Sequence, residues 1–181
     1  MFMKKVIIIS SYLVALSVSL AFTLTPPDKY EVSSGYSIGF KSADPSGNFK
    51  LLSGTVEYDS DDVTNTKFNL KIPVSSINTG NGSRDKKAQT EEWFDAKKYP
   101  NITFVSSKVE KNGTSLSITG NLSIKGVTKK YTIPATVSES GKKITFKGSF
   151  KVNRIEFGVG KKSDVVPDYM NVSFVVPATK K

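Results

Sequence analysis

The chain has 181 residues, 26 Lys and Arg against 16 Asp and Glu, a net charge of +10, and neither cysteine nor histidine. Without Cys there is no disulfide, no thiol nucleophile and no thiolate metal site; without His there is no Ser-His-Asp triad, no Cys-His pair and no imidazole-ligated zinc. The chemistry left to it rests on carboxylates, lysines and tyrosines, which favours a binding or structural protein over an enzyme.

The first residues read as an export leader. Lys4 and Lys5 precede an apolar run from Val6 to Leu20, and Ser19-Leu20-Ala21 supplies the small residues a signal peptidase needs, so a cut after Ala21 is expected, leaving one domain over 22–181. The run is short of the roughly 20 apolar residues of a membrane span. A retained leader serving as an anchor is the alternative, and a periplasmic or secreted protein with no span after cleavage is the expectation. Loss of Lys4 and Lys5 lowers the net charge from +10 to +8. The remaining lysines mostly alternate with apolar residues, which fits the wet faces of strands better than a nucleic-acid stripe.

After an extended lead-in through Pro26, Pro27 and Lys29, the dominant period is two. Tyr36, Ile38 and Phe40 alternate with Ser37 and Gly39, and Phe68, Leu70, Ile72 and Val74 share one parity. The same holds for Leu116, Ile118, Leu122 and Ile124, for Tyr131, Ile133, Ala135 and Val137, for Ile144, Phe146, Phe150 and Val152, and for Val172, Phe174 and Val176. Each run has one dry and one wet face, as a half-buried strand requires. Strands are expected at roughly 34–42, 52–60, 66–76, 101–110, 114–124, 129–138, 142–152 and 169–177, separated by turns such as Asp44-Pro45-Ser46-Gly47, Lys125-Gly126 and Ser140-Gly141-Lys142. Short connections argue antiparallel neighbours. Pro73 has no donor to give, so its strand is expected to lie at an edge or to bulge there. From Arg84 to Ala96 the period of two is lost, and a short helix is expected with Ser83 as N-cap and Pro100 marking the return to extended chain. Trp93 and Phe94 at its end would cover one end of a barrel.

Asp59, Asp61 and Asp62 cluster, but their spacing lacks the Gly and the final Glu of an EF-hand loop, so a solvated turn is the reading and no metal is expected. Glu57 and Asp59 share a face beside that turn and do not make a convincing catalytic pair. Eight antiparallel strands suit a barrel or a sandwich. Glycines within the strand patterns (Gly39, Gly54, Gly120, Gly148) and inward-parity aromatics give a hint of a curved wall around a ligand, although the same aromatics could simply fill a core.

Six segments in order then carry a family resemblance: Tyr36-Ser37-Ile38-Gly39-Phe40, Gly54-Thr55-Val56-Glu57-Tyr58-Asp59, Ser76-Ile77-Asn78-Thr79, Trp93-Phe94-Asp95 with Tyr99-Pro100 behind it, Gly120-Asn121-Leu122-Ser123-Ile124-Lys125-Gly126, and Arg154-Ile155-Glu156-Phe157-Gly158. From about Tyr30 to Val176 the chain resembles the YceI-like family of polyisoprenoid- or lipid-binding periplasmic proteins. The resemblance implies an all-β, lipocalin-like, extended eight-stranded antiparallel barrel with one short helix near 84–96. It also implies an apolar tunnel for a polyisoprenoid, an isoprenoid quinone, or a fatty acid or its amide, bound as ligand and not as a catalytic cofactor. On that reading Phe40, Phe68, Leu70, Phe104, Ile118, Phe146 and Phe150 form the wall, and Trp93, Phe94 and Phe157 the mouth or cap. Tyr36 and Arg154 are the polar groups nearest a head group, with Arg154 equally able to act as a strut to Glu156 or to backbone carbonyls. Members often carry histidine where this chain has Tyr36, Lys87 and Lys125, and here Tyr can donate one hydrogen bond and Lys can face an acidic head group. The sequence leaves a homodimer open. A solid barrel with a structural or stress-protective role and no lipid is the alternative function.

Overall fold

The computed structural model describes residues 26–181; the leader and its cleavage site lie outside the described residues. Its strands are β1 (Asp28–Val32), β2 (Ser37–Lys41), β3 (Ser46–Phe49), β4 (Ser53–Tyr58), β5 (Lys67–Pro73), β6 (Ile77–Asn78), β7 (Asn101–Asn112), β8 (Ser115–Ile124), β9 (Val127–Ser140), β10 (Lys143–Asn153) and β11 (Tyr169–Lys180), with one α-helix, α1 (Gly82–Ala88). The sheet order is β1-β4-β5-β7-β8-β9-β10-β11, and β1 pairs back onto β11 to close the ring. All pairs are antiparallel, so the result is an eight-stranded barrel.

Three of the eight staves are broken. β1 and β2 form one stave, and each half pairs with its own part of β11: Tyr30 opposite Lys180, Ile38 opposite Phe174. The next stave is β3 followed by β4, and the third is β5 followed by β6; β3 pairs with β2 and β6 at one end while β4 pairs with β1 and β5 at the other. The five remaining staves, β7 to β11, run unbroken as a meander of neighbouring strands. The period-two runs account for this meander because each of its strands has one face on the interior and one in water. Lys125 and Gly126 both take positive φ, 48° and 77°, as a two-residue type I′ hairpin between β8 and β9 demands.

Four connections converge on one end, here the rim: 42–45, 79–100, 125–126 and 154–168. The opposite end, the floor, is crossed by 59–66, 113–114 and 141–142. Aromatic residues pack the interior toward the floor. Phe146 meets Phe68 edge-on at 4.8 Å and Tyr58 at 5.9 Å between ring centres, and Tyr58 meets Tyr30 at 6.2 Å. Tyr58 donates to Glu139 at 2.6 Å, and burial together with this bond pushes its phenol well above the usual range.

Several sequence expectations need correction. The first strand was expected at 34–42, but Asp28–Val32 forms a separate strand, taking up the chain expected as a lead-in. Asp44-Pro45-Ser46-Gly47 was expected as a turn, yet β3 begins at Ser46 because Gly47 lies opposite Phe40 in the ladder. The helix is shorter than 84–96. It begins after Asn81, not Ser83, because the Asn81 side chain accepts from the backbone of Ser83 and Arg84. Past Ala88 the chain turns repeatedly, with Asp95 at φ 49°, which folds Trp93 and Phe94 toward the barrel. Pro73 closes β5 where β4 no longer accompanies it, since the β4–β5 ladder ends at Ser53 opposite Lys71. The Asp59 carboxylate is turned to its own turn, accepting from the backbone of Asp61 and Asp62, and those N–H groups hold its pKa below the usual carboxylate value.

Candidate functional site: an apolar tunnel beneath a tethered rim

Alternation places one side chain of every two inside the barrel, and near the rim these do not fill it. A cavity of about 360 Å³ lies under α1 and the 154–168 loop, and a second of about 100 Å³ lies deeper. The upper one falls in the size range of pockets that bury most of a small ligand's surface. Ile38, Ile72, Ile102, Leu122, Phe150 and Val172 line both, so the two adjoin along the barrel axis and together outline one apolar, tunnel-shaped interior. The lower chamber has Thr103 as its single residue with a polar side chain.

The wall owes part of its shape to glycine. At Gly148 an added Cβ would collide with the carbonyl of Pro134 and lie 2.6 Å from the Phe174 ring, so the ring lies across the bare backbone of the neighbouring strand. Gly120 and Phe104 repeat this arrangement, with an added Cβ 2.7 Å from the ring.

Polar groups gather only at the rim of the upper chamber: Asp44, Thr79, Arg84, Lys87 and Arg154. Arg84 bonds Asp44 through two nitrogens, at 2.7 and 3.1 Å, which ties α1 across to the β2–β3 turn. Asp85 fixes the start of the same segment, accepting from the Thr79 hydroxyl at 2.7 Å and the Thr79 N–H at 2.8 Å, and these bonds hold its carboxyl below the usual range. Lys87 faces Glu92 at 3.9 Å.

Arg154 is 4% exposed. Its Nε donates to Pro167 at 3.0 Å, Nη1 to Val159 at 2.9 Å and Lys161 at 3.0 Å, and Nη2 to Val166 at 2.7 Å, all at carbonyl oxygens. Asp168 is its nearest carboxylate, at 3.7 Å. One guanidinium therefore pins both legs of the 159–167 loop, and the Trp93 ring lies over it at 5.5 Å. The Trp93 Nε1 is buried and finds no acceptor among the described residues.

Nearly all the residues expected from sequence to meet a ligand come together here. Phe40, Trp93, Phe94 and Arg154 line the upper chamber; Phe68, Leu70, Phe104, Ile118 and Phe146 line the lower; Phe150 lines both. Tyr36 and Phe157 line neither. The Tyr36 hydroxyl donates to the carbonyl of Lys50 at 3.3 Å, and Phe157 is fully buried against Tyr131 behind the wall. Lys125 is also away from the tunnel, donating to the carbonyl of Gly158 at 2.7 Å. The sequence reasoning missed Asp44, Thr79 and Arg84 as rim residues, and Val159 and Val165 as wall, because their runs have no period and only the topology brings them together; Met170 it could have found, since it shares the parity of Val172, Phe174 and Val176.

Comparison with known proteins fits this geometry. The model of the YceI-like domain matches residues 23–178. The chain belongs to the YceI-like family. This YceI-like chain is 32% identical over 136 residues to Protein YceI of Escherichia coli O157:H7, covering 72% of the chain and 70% of the relative. Its fold matches BcnA of Burkholderia cenocepacia (TM-score 0.74, 30% identity, 83% of this chain and 96% of that one). The YceI protein of Campylobacter jejuni matches over 96% of this YceI-like chain and 99% of its own (TM-score 0.71, 26% identity). A polyisoprenoid binding domain from Saccharophagus degradans, at 15% identity and TM-score 0.68, shares the fold.

Proposed function

We propose that this protein binds a long-chain amphiphilic lipid, such as a polyisoprenoid, an isoprenoid quinone, or a fatty acid or its amide, and carries or stores it without chemical change in a periplasmic or secreted setting. The observation that carries this reading is the pair of adjoining cavities, apolar from above the aromatic packing of the floor to just below the rim. A lipid chain in water costs about 0.8 kcal/mol per exposed CH₂, and a tunnel of this kind removes that cost along its length. Phe40, Phe68, Leu70, Phe104, Ile118, Phe146 and Phe150 would contact the chain, and Trp93 and Phe94 would close over its upper part. The head group would sit among Thr79, the free Trp93 Nε1, and Arg84 and Lys87, whose ion pairs are open to water, a role that the bonding of Tyr36 and the buried bonding of Arg154 do not favour for those two residues. A carrier reading over an enzyme is supported by the bonding of the rim groups: Asp44, Arg84 and Lys87 lie in ion pairs, and Arg154 is spent on carbonyls.

The test is native mass spectrometry of the protein from its own host, followed by extraction of the bound molecule. The expected result is one long-chain lipid per chain. Protein that is ligand-free and also takes up no added prenyl lipid or fatty acid would overturn the reading.

A further inference from the structure

The barrel is electrically and chemically lopsided along its axis. At the floor, Lys67, Lys108, Lys180 and Lys181 are each paired with a carboxylate, Glu57, Glu110, Asp28 and Glu31, while Lys29, Lys111, Lys142 and Lys143 are offset by Glu139 and the three carboxylates of the Asp59-Ser60-Asp61-Asp62 turn, so that end is close to neutral. At the rim cations are in excess. Asp44, Glu92, Glu156 and Asp168 each face a cation. Among the described residues Asp85, Glu91, Asp95 and Asp164 have no ion pair. They are outnumbered by lysines equally without one: Lys97 and Lys98 after α1, Lys130 and Lys151 on the outer wall, and Lys161 and Lys162 on the 154–168 loop. Lys41 joins them, since Asn171 lies between it and Lys151 in the ladder.

The same end carries exposed apolar side chains. Val165 is 77% exposed, at the outer end of a loop whose legs Arg154 holds, and it also lines the upper chamber. Tyr169 at the foot of that loop and Val127 at the start of β9 are exposed as well. Apolar and aromatic tips ringed by lysines are the pattern of a surface that seats in the headgroup layer of an anionic bilayer: the lysines meet lipid phosphates while the apolar tip enters the acyl boundary.

We propose that the rim docks on an anionic lipid bilayer through the 161–165 loop tip, with the basic rim, set against a near-neutral floor, orienting the barrel mouth-first. This rests on the lipid-binding reading in one respect, that the rim is where a lipid chain would pass between bilayer and tunnel. A mouth facing the bilayer spares the chain an exposed passage through water. Positive charge concentrated at one end aligns the molecule during approach, an effect that weakens with salt.

The experiment is co-sedimentation of the purified protein with vesicles of phosphatidylcholine alone and of an equimolar phosphatidylcholine–phosphatidylglycerol mixture, at low and high salt. Binding to the mixed vesicles only, weakened by salt, is expected. Lys161→Gln with Lys162→Gln should lower the partition coefficient by about 25-fold, from roughly a fivefold loss per lysine at an anionic surface. Val165→Ser should lower it several-fold at unchanged salt dependence. Lys142→Gln with Lys143→Gln, at the floor, should leave it unchanged, and the thermal midpoint of each variant reports its folding. No binding to the anionic vesicles overturns the proposal and points the basic rim at a protein partner, and equal losses from floor and rim pairs overturn it in favour of unoriented charge attraction. Docking by protein shown by mass spectrometry to hold and take up no lipid would sustain this proposal while removing the tunnel reading.

Discussion

Removal of the Arg154 guanidinium is the sharpest test of how the rim is built. Arg154→Met keeps most of the stem volume but strips four bonds from the carbonyls of Val159, Lys161, Val166 and Pro167. At a net value of about 1 kcal/mol each, and with the Trp93 face losing its cation, the loss comes to roughly 3–5 kcal/mol. The figure is held down because Asp168, the carboxylate left behind, is partly exposed and can be rehydrated. For a domain of this size each kcal/mol moves the thermal midpoint by roughly 2–4 °C, so a fall of about 6–20 °C is expected. Arg154→Lys should recover only part, since an ammonium cannot reach four carbonyls in the geometry of a planar fork. Thermal and urea unfolding of the three proteins, with amide exchange over 159–167, is the assay. A midpoint within about 1 °C of the parent, with retained lipid lost instead, would refute the strut and return Arg154 to the role of head-group anchor.

Tyr58→Phe should cost about 1 kcal/mol at neutral pH through the lost bond to Glu139. Because burial and that bond raise the folded-state phenol, the stability it gives is complete below the unfolded phenol pKa near about 10 and fades as pH rises above it. Unfolding midpoints measured from neutral to strongly alkaline pH should therefore fall less steeply in the variant, with Tyr30 and Tyr131, also shifted upward by burial, supplying the remaining slope; identical profiles would contradict the assignment. Gly148→Ala should destabilise by about 1–3 kcal/mol in urea unfolding, since its methyl meets the Pro134 carbonyl and the Phe174 ring. Gly82→Ala, at the start of α1 with open space around it, should be neutral or stabilise by up to about 1 kcal/mol in the same assay.

What the sequence disclosed and what it hid follow from how local each signal is. Phe146 and Phe150, or Ile118 and Leu122, announce their inward parity within one strand, so the meander β7–β11 and most of the tunnel wall could be read directly. The broken staves could not. Tyr30 and Val32 are two apolar residues in a short charged run, too few to fix a period, and β1 exists because β4 and β11 flank it. Ser46–Phe49 has the composition of a turn and becomes a strand through its pairing with β2. At the site, the aromatic wall was legible while Asp44, Thr79 and Arg84 were not, since a residue in an aperiodic connection becomes a rim residue only when the barrel closes. Tyr36 and Phe157 err in the other direction: each lies in a motif of the resemblance, yet one hydroxyl is turned to the Lys50 carbonyl and one ring is buried behind the wall.

The seam that closes the barrel also brings the two ends of the described chain together at the floor, where the Lys181 N–H donates to the carbonyl of Lys29 at 3.0 Å. Residues 29 and 181 thus lie on the side opposite the opening, and among the described residues the rim is made of internal connections. Such connections accept insertions and substitutions far more readily than ladders do. The fold therefore divides its evolutionary labour: the staves and floor hold the barrel shut, while 42–45, 79–100 and 154–168 can diverge and reshape the opening without loosening it.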